Sequence, residues 1–211
     1  LTRGSETGTP ITLIEAETGT GKTLGYLIPL MIAQIHSPRR AIISTATNRL
    51  SSQIVTADGP VAIKIIEEMF GVALTINMQF GRQNFIDYER VGTLKAYLTR
   101  QNPHDQSIPM LAAIEAVSER LKTFQDLSEN GLDLPENLSQ NDLCLTAYST
   151  KKSSQAYHDH RKISLLSNIT VTNHVITGLE ARYRSHLILT PEEPCPLHTS
   201  DASDEEDSLR H

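Results

Sequence analysis

The most constraining feature of this chain is a short apolar run that gives way to a glycine-rich loop and then to a helical pattern. Ile11-Thr12-Leu13-Ile14 is typical of a short buried strand, and residues 15–23 carry Thr-Gly-Thr-Gly-Lys-Thr at their end. Apolar residues then recur at the three- and four-residue spacing of a helix: Leu24, Leu27, Ile28 and Met31. Strand, tight loop and helix in this order predict a phosphate-binding loop.

The residue types of the loop suit a triphosphate. Glycines 19 and 21 let backbone N–H groups turn inward, and a helix that starts near Lys22 directs its positive end at the anion. We expect Lys22 to reach the β and γ phosphates and the Thr23 hydroxyl to ligate Mg²⁺. The expected ATP–Mg²⁺ site consists of Thr18, Gly19, Thr20, Gly21, Lys22 and Thr23. The alternative interpretation is a glycine-rich turn between a strand and a helix that binds no phosphate.

Composition narrows the class of protein. The 211 residues suffice for one sizeable core, or for a core with an insertion. No apolar run approaches the roughly 18 residues of a membrane span, so we expect a soluble, cytoplasmic protein without a membrane partner. Only Cys144 and Cys195 are present, which fits a reducing compartment. Residues 190–211 hold seven of the 25 acidic residues and one of the 19 basic ones, which accounts for the whole net charge of −6. The charges in the rest of the chain balance, so the net charge neither supports nor excludes a nucleic-acid partner.

The order of elements predicts an α/β fold with a parallel sheet. Strands are expected at 11–14, 40–45, 72–78 and 168–172, and the first two flank a helix of about 15 residues. Asp58-Gly59-Pro60 suggests a break that opens a helix over Val61–Phe70, with Ile65, Ile66 and Met69 facing inward.

From Gly81 the pattern changes. Residues 92–126 are expected to be helical and residues 128–154 loop-like. The charged run 151–162 is interpreted either as a solvated face or as a DNA-binding groove in which Tyr157 stacks on a base. The inward stripe of the helical region is predicted to be Leu94, Tyr97, Leu98, Leu111, Ile114, Val117 and Leu121. We therefore divide the chain into a first domain part (1–80), a mainly helical insertion (81–165), a return to the first domain (166–190) and an acidic, disordered linker (191–211).

Four segments in this order resemble the DinG/XPD branch of superfamily 2 DNA helicases. They are the nucleotide loop at 14–29, a first DNA-contacting motif at 42–50, Gly81-Arg82-Gln83-Asn84-Phe85-Ile86, and Val171-Thr172-Asn173-His174. The resemblance implies a RecA-like P-loop domain, the N-terminal motor portion of an ATP-dependent helicase that moves 5′ to 3′. It also implies that single-stranded or duplex DNA contacts Thr45, Thr47, Asn48 and Arg82. Thr45 and Thr47 lie where ligands bind open α/β sheets.

Two departures from the family pattern refine the expectation. Members with an iron–sulfur cluster use four cysteines, and Asp87 occupies the place of the first, so we expect no cluster. That variant is similar to the DinG helicases of type IV CRISPR systems, which implies a CRISPR effector complex as a partner. The Asp-Glu-Ala-His motif and the second motor domain are not identifiable, since the acids at 204–207 suggest a solvated linker rather than a metal site. This chain alone is therefore expected to be inactive, and the alternative function is a nucleotide- or DNA-binding module without turnover.

Overall fold

A parallel β-sheet organises the part of the chain that this computed structural model describes, which comprises residues 21–36, 40–183 and 197–199. The strands are β1 (Ala41–Thr45), β2 (Ile76–Met78), β3 (Ile169–Asn173) and β4 (Leu197–Thr199). Their order is β2-β3-β1-β4, and every pairing is parallel. The predicted α/β class with a parallel sheet is confirmed. The strand predicted at 11–14 lies outside the described residues.

Helices make up most of the remaining described structure. They are α1 (Lys22–His36), α2 (Asn48–Gln53), a π-helical turn (Ile54–Asp58), α3 (Gly59–Phe70), a 3₁₀ turn (Arg82–Asn84), α4 (Tyr88–Gln101), α5 (Ser107–Ala116), α6 (Phe124–Glu129), α7 (Gln140–Leu143), α8 (Gln155–Leu166) and α9 (His174–Tyr183). No helix among them is long and apolar enough to cross a membrane.

The main core lies between the sheet and the pair α1 and α3. Leu27 and Met31 of α1 and Ile66 of α3 pack against Ile43 and Ile169 of the sheet, all fully or almost fully buried. Strand β1 is buried at every position, as expected for a strand inside a sheet covered by helices. Because α1 packs on the sheet and leads into β1, its first turn lies at the edge where the parallel strands end.

The predicted break at Asp58-Gly59-Pro60 is wrong, because α2, the π turn and α3 form one continuous helical segment. Gly59 donates its N–H to the carbonyl of Ile54, five residues back, and Pro60 follows at the start of α3. A proline inside an α-helix removes a hydrogen bond and clashes with the carbonyl four residues earlier. The wider π turn accommodates Pro60 without ending the helix.

The inward face of α3 also differs from the prediction. Gly59 lies against Ile76 of β2, and the positions three, four and seven residues further on face the same way. These are Ala62, Ile63 and Ile66, of which Ala62 and Ile66 are buried. Met69 is 65% exposed, so its predicted place in the stripe is wrong.

A second apolar core forms between residues 86 and 143. Its buried members come from α4, α5, α6, α7 and the segment before α4: Ile86, Val91, Leu111, Ile114, Leu127 and Leu143. The region predicted to be helical at 92–126 is divided among three helices, with interruptions at 102–106 and 117–123. Tyr97 is 58% exposed and does not belong to the stripe, whereas Leu94 and Leu98 of the same helix pack on the second core.

Three further boundaries differ from the sequence prediction. The strand expected at 72–78 is limited to β2, and Leu74, which lies before β2, is buried. The charged run 151–162 leads into α8, a helix that packs on β2 and β3, rather than a loop. The linker predicted at 191–211 is wrong for Leu197–Thr199, which pair with β1 as β4; its other residues lie outside the described ones.

Candidate nucleotide and nucleic-acid site

Helix α1 begins where the phosphate loop was predicted to end. Gly21 adopts φ +75°, a left-handed conformation that favours glycine, and its carbonyl accepts the Gly25 N–H at 2.9 Å. The helix thus starts at Lys22, with Thr23 in its first turn, where backbone N–H groups point toward a bound anion. Both side chains are half-buried. Of the predicted nucleotide residues, Thr18, Gly19 and Thr20 lie outside the described part of the chain.

Thr45 ends β1 and is buried, so its side chain does not reach the surface. Its hydroxyl lies 2.8 Å from the Thr47 carbonyl and 2.5 Å from the Ser51 hydroxyl. Thr47 is the N-cap of α2 and accepts the Leu50 N–H at 3.2 Å. Thr45 therefore fixes the turn from β1 into α2, while the half-buried Thr47 lies at the edge itself.

Asn48, the first residue of α2, links two other segments at this edge. Its side-chain NH₂ donates to Oδ1 of Asn84 at 2.9 Å, and its Oδ1 accepts from the side-chain NH₂ of Asn173 at 2.9 Å. Asn84 belongs to the 3₁₀ turn after β2, and Asn173 ends β3. The structure thus brings together the three predicted motifs at 42–50, 81–86 and 171–174, each of which follows or ends a different strand.

His174, the last residue of the predicted motif at 171–174, lies at the same edge. Its Nδ1 lies 2.7 Å from the hydroxyl of Ser44, which also accepts from Thr177 at 2.9 Å. Ser44 and Thr177 are buried, whereas the His174 side chain is exposed. The contact with Ser44 fixes the ring orientation at the sheet edge. The sequence places this histidine directly after a β-strand and within the predicted motif, but it does not mark the contact with Ser44.

Arg82 is exposed, and one face of its guanidinium is held by an aromatic ring. The Arg82 Cζ lies 5.2 Å from the centre of the Tyr157 ring. Tyr157 is only 2% exposed and packs edge-on against Phe85. The predicted stacking of a base on Tyr157 is therefore wrong in this structure, because α8 turns that ring inward; its observed contact instead supports Arg82.

His160, one turn further along α8, joins the same aromatic cluster. Its ring stacks on Phe80 and meets Phe85 edge-on, and its Nε2 accepts the Phe80 N–H at 3.2 Å. Burial lowers the pKa of His160 below its usual range, because the charged ring would lose its hydration; a backbone hydrogen bond from the ring to Met78 opposes the shift. The neutral ring thus supports the segment that carries Arg82.

Asp87, which occupies the position expected for the first cluster-binding cysteine, has hydrogen-bond partners within the protein. It is buried, caps α4 by accepting the N–H groups of Glu89 and Arg90, and accepts the Ser149 hydroxyl at 2.6 Å. Cys144 is buried, and its carbonyl accepts from the Arg90 guanidinium at 2.8 Å. Within the described ranges, no group of three or more His, Cys, Asp or Glu side chains is placed to hold a metal ion.

An open cleft of about 710 Å³ lies between the helical segment after β1 and α6. Its two sides meet where the Gln125 side-chain NH₂ donates to the Ser52 hydroxyl at 3.0 Å. Seven of the eight lining residues have polar side chains: Arg49, Ser52, Gln53, Thr56, Gln125, Ser128 and Glu129, with Ala57 as the eighth. Because α2 starts at the strand-end edge, the cleft continues that edge toward the second core.

The sequence matches several curated DNA helicases. It is 28% identical over 177 residues to the ATP-dependent DNA helicase YoaA of Escherichia coli K12, a match that covers 82% of this chain and 26% of that protein. It is 22% identical over 196 residues to the ATP-dependent helicase DinG of Mycobacterium tuberculosis H37Rv, covering 83% of this chain and 29% of that protein. The chain is similar to DinG-like helicases. A Bacillus subtilis relative, 28% identical over 182 residues and matched over 77% of this chain and 17% of its own length, is named 3'-5' exonuclease DinG.

The chain therefore spans less than a third of the length of these relatives. No protein-family model matches it. The matches extend over most of the chain, including regions beyond the predicted phosphate loop.

Proposed function

We propose that this chain is the N-terminal motor portion of an ATP-dependent DNA helicase related to DinG, with a RecA-like P-loop domain. The observation that carries the proposal is the meeting, at one edge of a parallel sheet, of three motifs distant in sequence and linked by Asn48. In open α/β sheets, ligands bind at the carboxyl ends of the strands. The similarity to DinG and YoaA helicases supports the same assignment.

In this proposal ATP–Mg²⁺ binds to residues 18–23. Gly21 in its left-handed conformation and the helix start at Lys22 fit a bound phosphate. Lys22 would bind the phosphates of ATP, and the Thr23 hydroxyl would hold Mg²⁺, which would supply positive charge at the phosphate oxygens. The chain itself contributes binding and orientation at this site.

The nucleic acid crosses the strand ends beside this site. Thr47, Arg82 and His174 supply exposed or half-exposed polar groups there, with the Arg82 guanidinium backed by Tyr157. Thr45 contributes indirectly, because its buried hydroxyl donates to the Thr47 carbonyl and so fixes the backbone that carries Thr47. The open cleft beside Arg49 offers a continuation of the path toward residues 124–129.

Residues 81–165 form an insertion without an iron–sulfur cluster in this proposal. The donor set does not fit a cluster, since cluster binding requires about four thiolates and Cys144 is the single cysteine of this stretch. Asp87 instead uses its carboxylate to cap α4 and bind Ser149. The cluster-free insertion, the 5′ to 3′ direction and recruitment by a CRISPR effector complex are extensions that the family resemblance implies.

A second candidate function is binding without turnover. The acids that hold Mg²⁺ and align water, and the arginine of a second motor domain, are not identifiable in this sequence, and they are required for hydrolysis. ATP hydrolysis by the chain in the presence of single-stranded DNA would exclude this candidate.

The proposed nucleic-acid edge is tested by fluorescence anisotropy of a labelled oligo(dT) with the 211-residue chain at several salt concentrations. Arg82→Ala should weaken binding and reduce the slope of log K against log salt by about 0.7, because one phosphate contact to a single strand is lost. Arg120→Ala removes the same charge from an exposed position between α5 and α6, and it should leave the affinity for oligo(dT) unchanged. Absence of oligo(dT) binding, or equal effects of both variants, would contradict the proposal.

A further inference from the structure

Four hydrogen bonds connect α9 to the segment after β2 through three asparagine side chains. The Ile176 N–H donates to Oδ1 of Asn173 at 3.0 Å, and Asn173 donates to Asn48 at 2.9 Å. Asn48 donates to Asn84 at 2.9 Å, and Asn84 donates to the Gly81 carbonyl at 3.3 Å. We call these residues, Asn173, Asn48 and Asn84, the amide chain.

Both ends of the amide chain are fixed by backbone groups that cannot exchange roles. The Ile176 N–H can only donate, so Asn173 must present its oxygen to it and its NH₂ to Asn48. The Gly81 carbonyl can only accept, so Asn84 must present its NH₂ to it and its oxygen to Asn48. Rotating any one amide by 180° would place two donors or two acceptors against each other. The orientation of Asn48 is therefore determined from both sides.

This arrangement changes the role expected of Asn48. Its NH₂ and its oxygen each have a partner within the protein, and its side chain is half-buried. Asn48 sits between two segments of the proposed DNA edge: Thr47 precedes it, and Asn173 precedes His174. Asn84 lies two residues after Arg82 and opens the path to the second core through Phe85 and Ile86.

We propose that Asn48 is a positioning residue that transmits nucleic-acid binding at the strand ends to the helical segment 81–146. The inference rests on the proposed function, since it assumes that nucleic acid binds this edge. A strand that contacts Thr47 or His174 moves the two neighbouring asparagines, and the fixed amide orientations pass that shift to Gly81–Asn84. Residues 85, 86 and 144 shift together with Gly81–Asn84, because Phe85 and Ile86 form β-bridges with Thr123 and Cys144.

The test combines oligo(dT) affinity with hydrogen–deuterium exchange of the 211-residue chain. In the wild type, adding oligo(dT) should slow exchange in residues 81–86 and 142–146 as well as at the strand ends. Asn48→Ala should weaken oligo(dT) binding about tenfold and abolish the slowing at 142–146. Asn130→Ala removes an exposed asparagine that follows α6 and donates its NH₂ to the Asp126 carbonyl of that helix, and it should behave as the wild type.

A second variant distinguishes positioning from direct contact, and also serves if Asn48→Ala does not fold. Asn84→Ala breaks the same hydrogen bond from the other side, so it should weaken oligo(dT) binding to a similar extent. The double variant should be no weaker than either single variant, because both break one chain. Unchanged affinity in Asn84→Ala, or additive losses in the double variant, would overturn the inference while leaving the DNA edge in place. Absence of binding in the wild type would overturn the proposed function instead.

Discussion

Replacement of Gly59 by alanine tests the π turn that positions α2 at the strand ends. A Cβ at this position would lie 2.7 Å from the Ile54 carbonyl oxygen and 3.1 Å from a methyl group of Ile76. The carbonyl is the acceptor of the Gly59 N–H, so the clash cannot be relieved without lengthening that hydrogen bond. Overpacking of this kind costs about 1–3 kcal/mol, whereas alanine in place of glycine in a helix contributes about 1 kcal/mol.

The difference between the two effects is a loss of up to about 2 kcal/mol, so we expect Gly59→Ala to lower the free energy of unfolding by about 1 kcal/mol. Gly178→Ala is the matched control, because Gly178 lies inside α9 and a Cβ there meets nothing within 4 Å. The control should raise stability by about 0.5–1 kcal/mol. Urea unfolding followed by far-UV circular dichroism measures both. If Gly59→Ala is as stable as the wild type or more so, the proposed tight packing at the π turn is refuted.

Three further predictions concern the supports of the site. Because the pKa of His160 is lowered in the folded state, the unfolded chain binds more protons, and the free energy of unfolding should fall as the pH drops below about 6.5. In pH-dependent unfolding, His160→Gln should remove this loss, whereas His158→Gln, at an exposed position, should retain it. Arg40 donates to the carbonyls of Ser164 and Ser167 and to Thr170, so Arg40→Met should cost about 2 kcal/mol in urea unfolding, and a loss below 0.5 kcal/mol would contradict this role. The purified chain should contain no stoichiometric iron by metal analysis, and about four irons per chain would overturn the cluster-free insertion.

The sequence indicated the elements that meet at the strand-end edge but not how they are joined. Strands β1 and β3 were predictable because each is a short run of β-branched residues next to a motif, and α1 because its apolar residues recur at helical spacing. The amide chain was not predictable, since Asn48 and Asn173 are 125 residues apart and no local pattern marks an amide for another amide.

Other differences arise from tertiary packing that local patterns do not encode. A helical period carries no signal for one inserted residue, so the π turn before Gly59 was missed and the face of α3 was assigned wrongly at Met69. Tyr157 lies in a run of charged residues, which suggested an exposed loop. Its burial follows from the packing of α8 on the sheet and of its ring on Phe85.

Nucleotide binding tests the central claim most directly. Binding of a fluorescent ATP analogue with Mg²⁺ should be measured for the 211-residue chain, for Lys22→Ala and for Lys64→Ala. Lys64 is an exposed lysine on α3 that lies 3.9 Å from Glu68, so its removal changes the charge equally without touching the proposed site. The wild type and Lys64→Ala should bind with the same affinity, and Lys22→Ala should bind at least tenfold more weakly, because a charged hydrogen bond to phosphate contributes about 1.5–3 kcal/mol. Equal binding by Lys22→Ala and the wild type, or no binding by the wild type, would contradict the assignment of residues 18–23 as the ATP site.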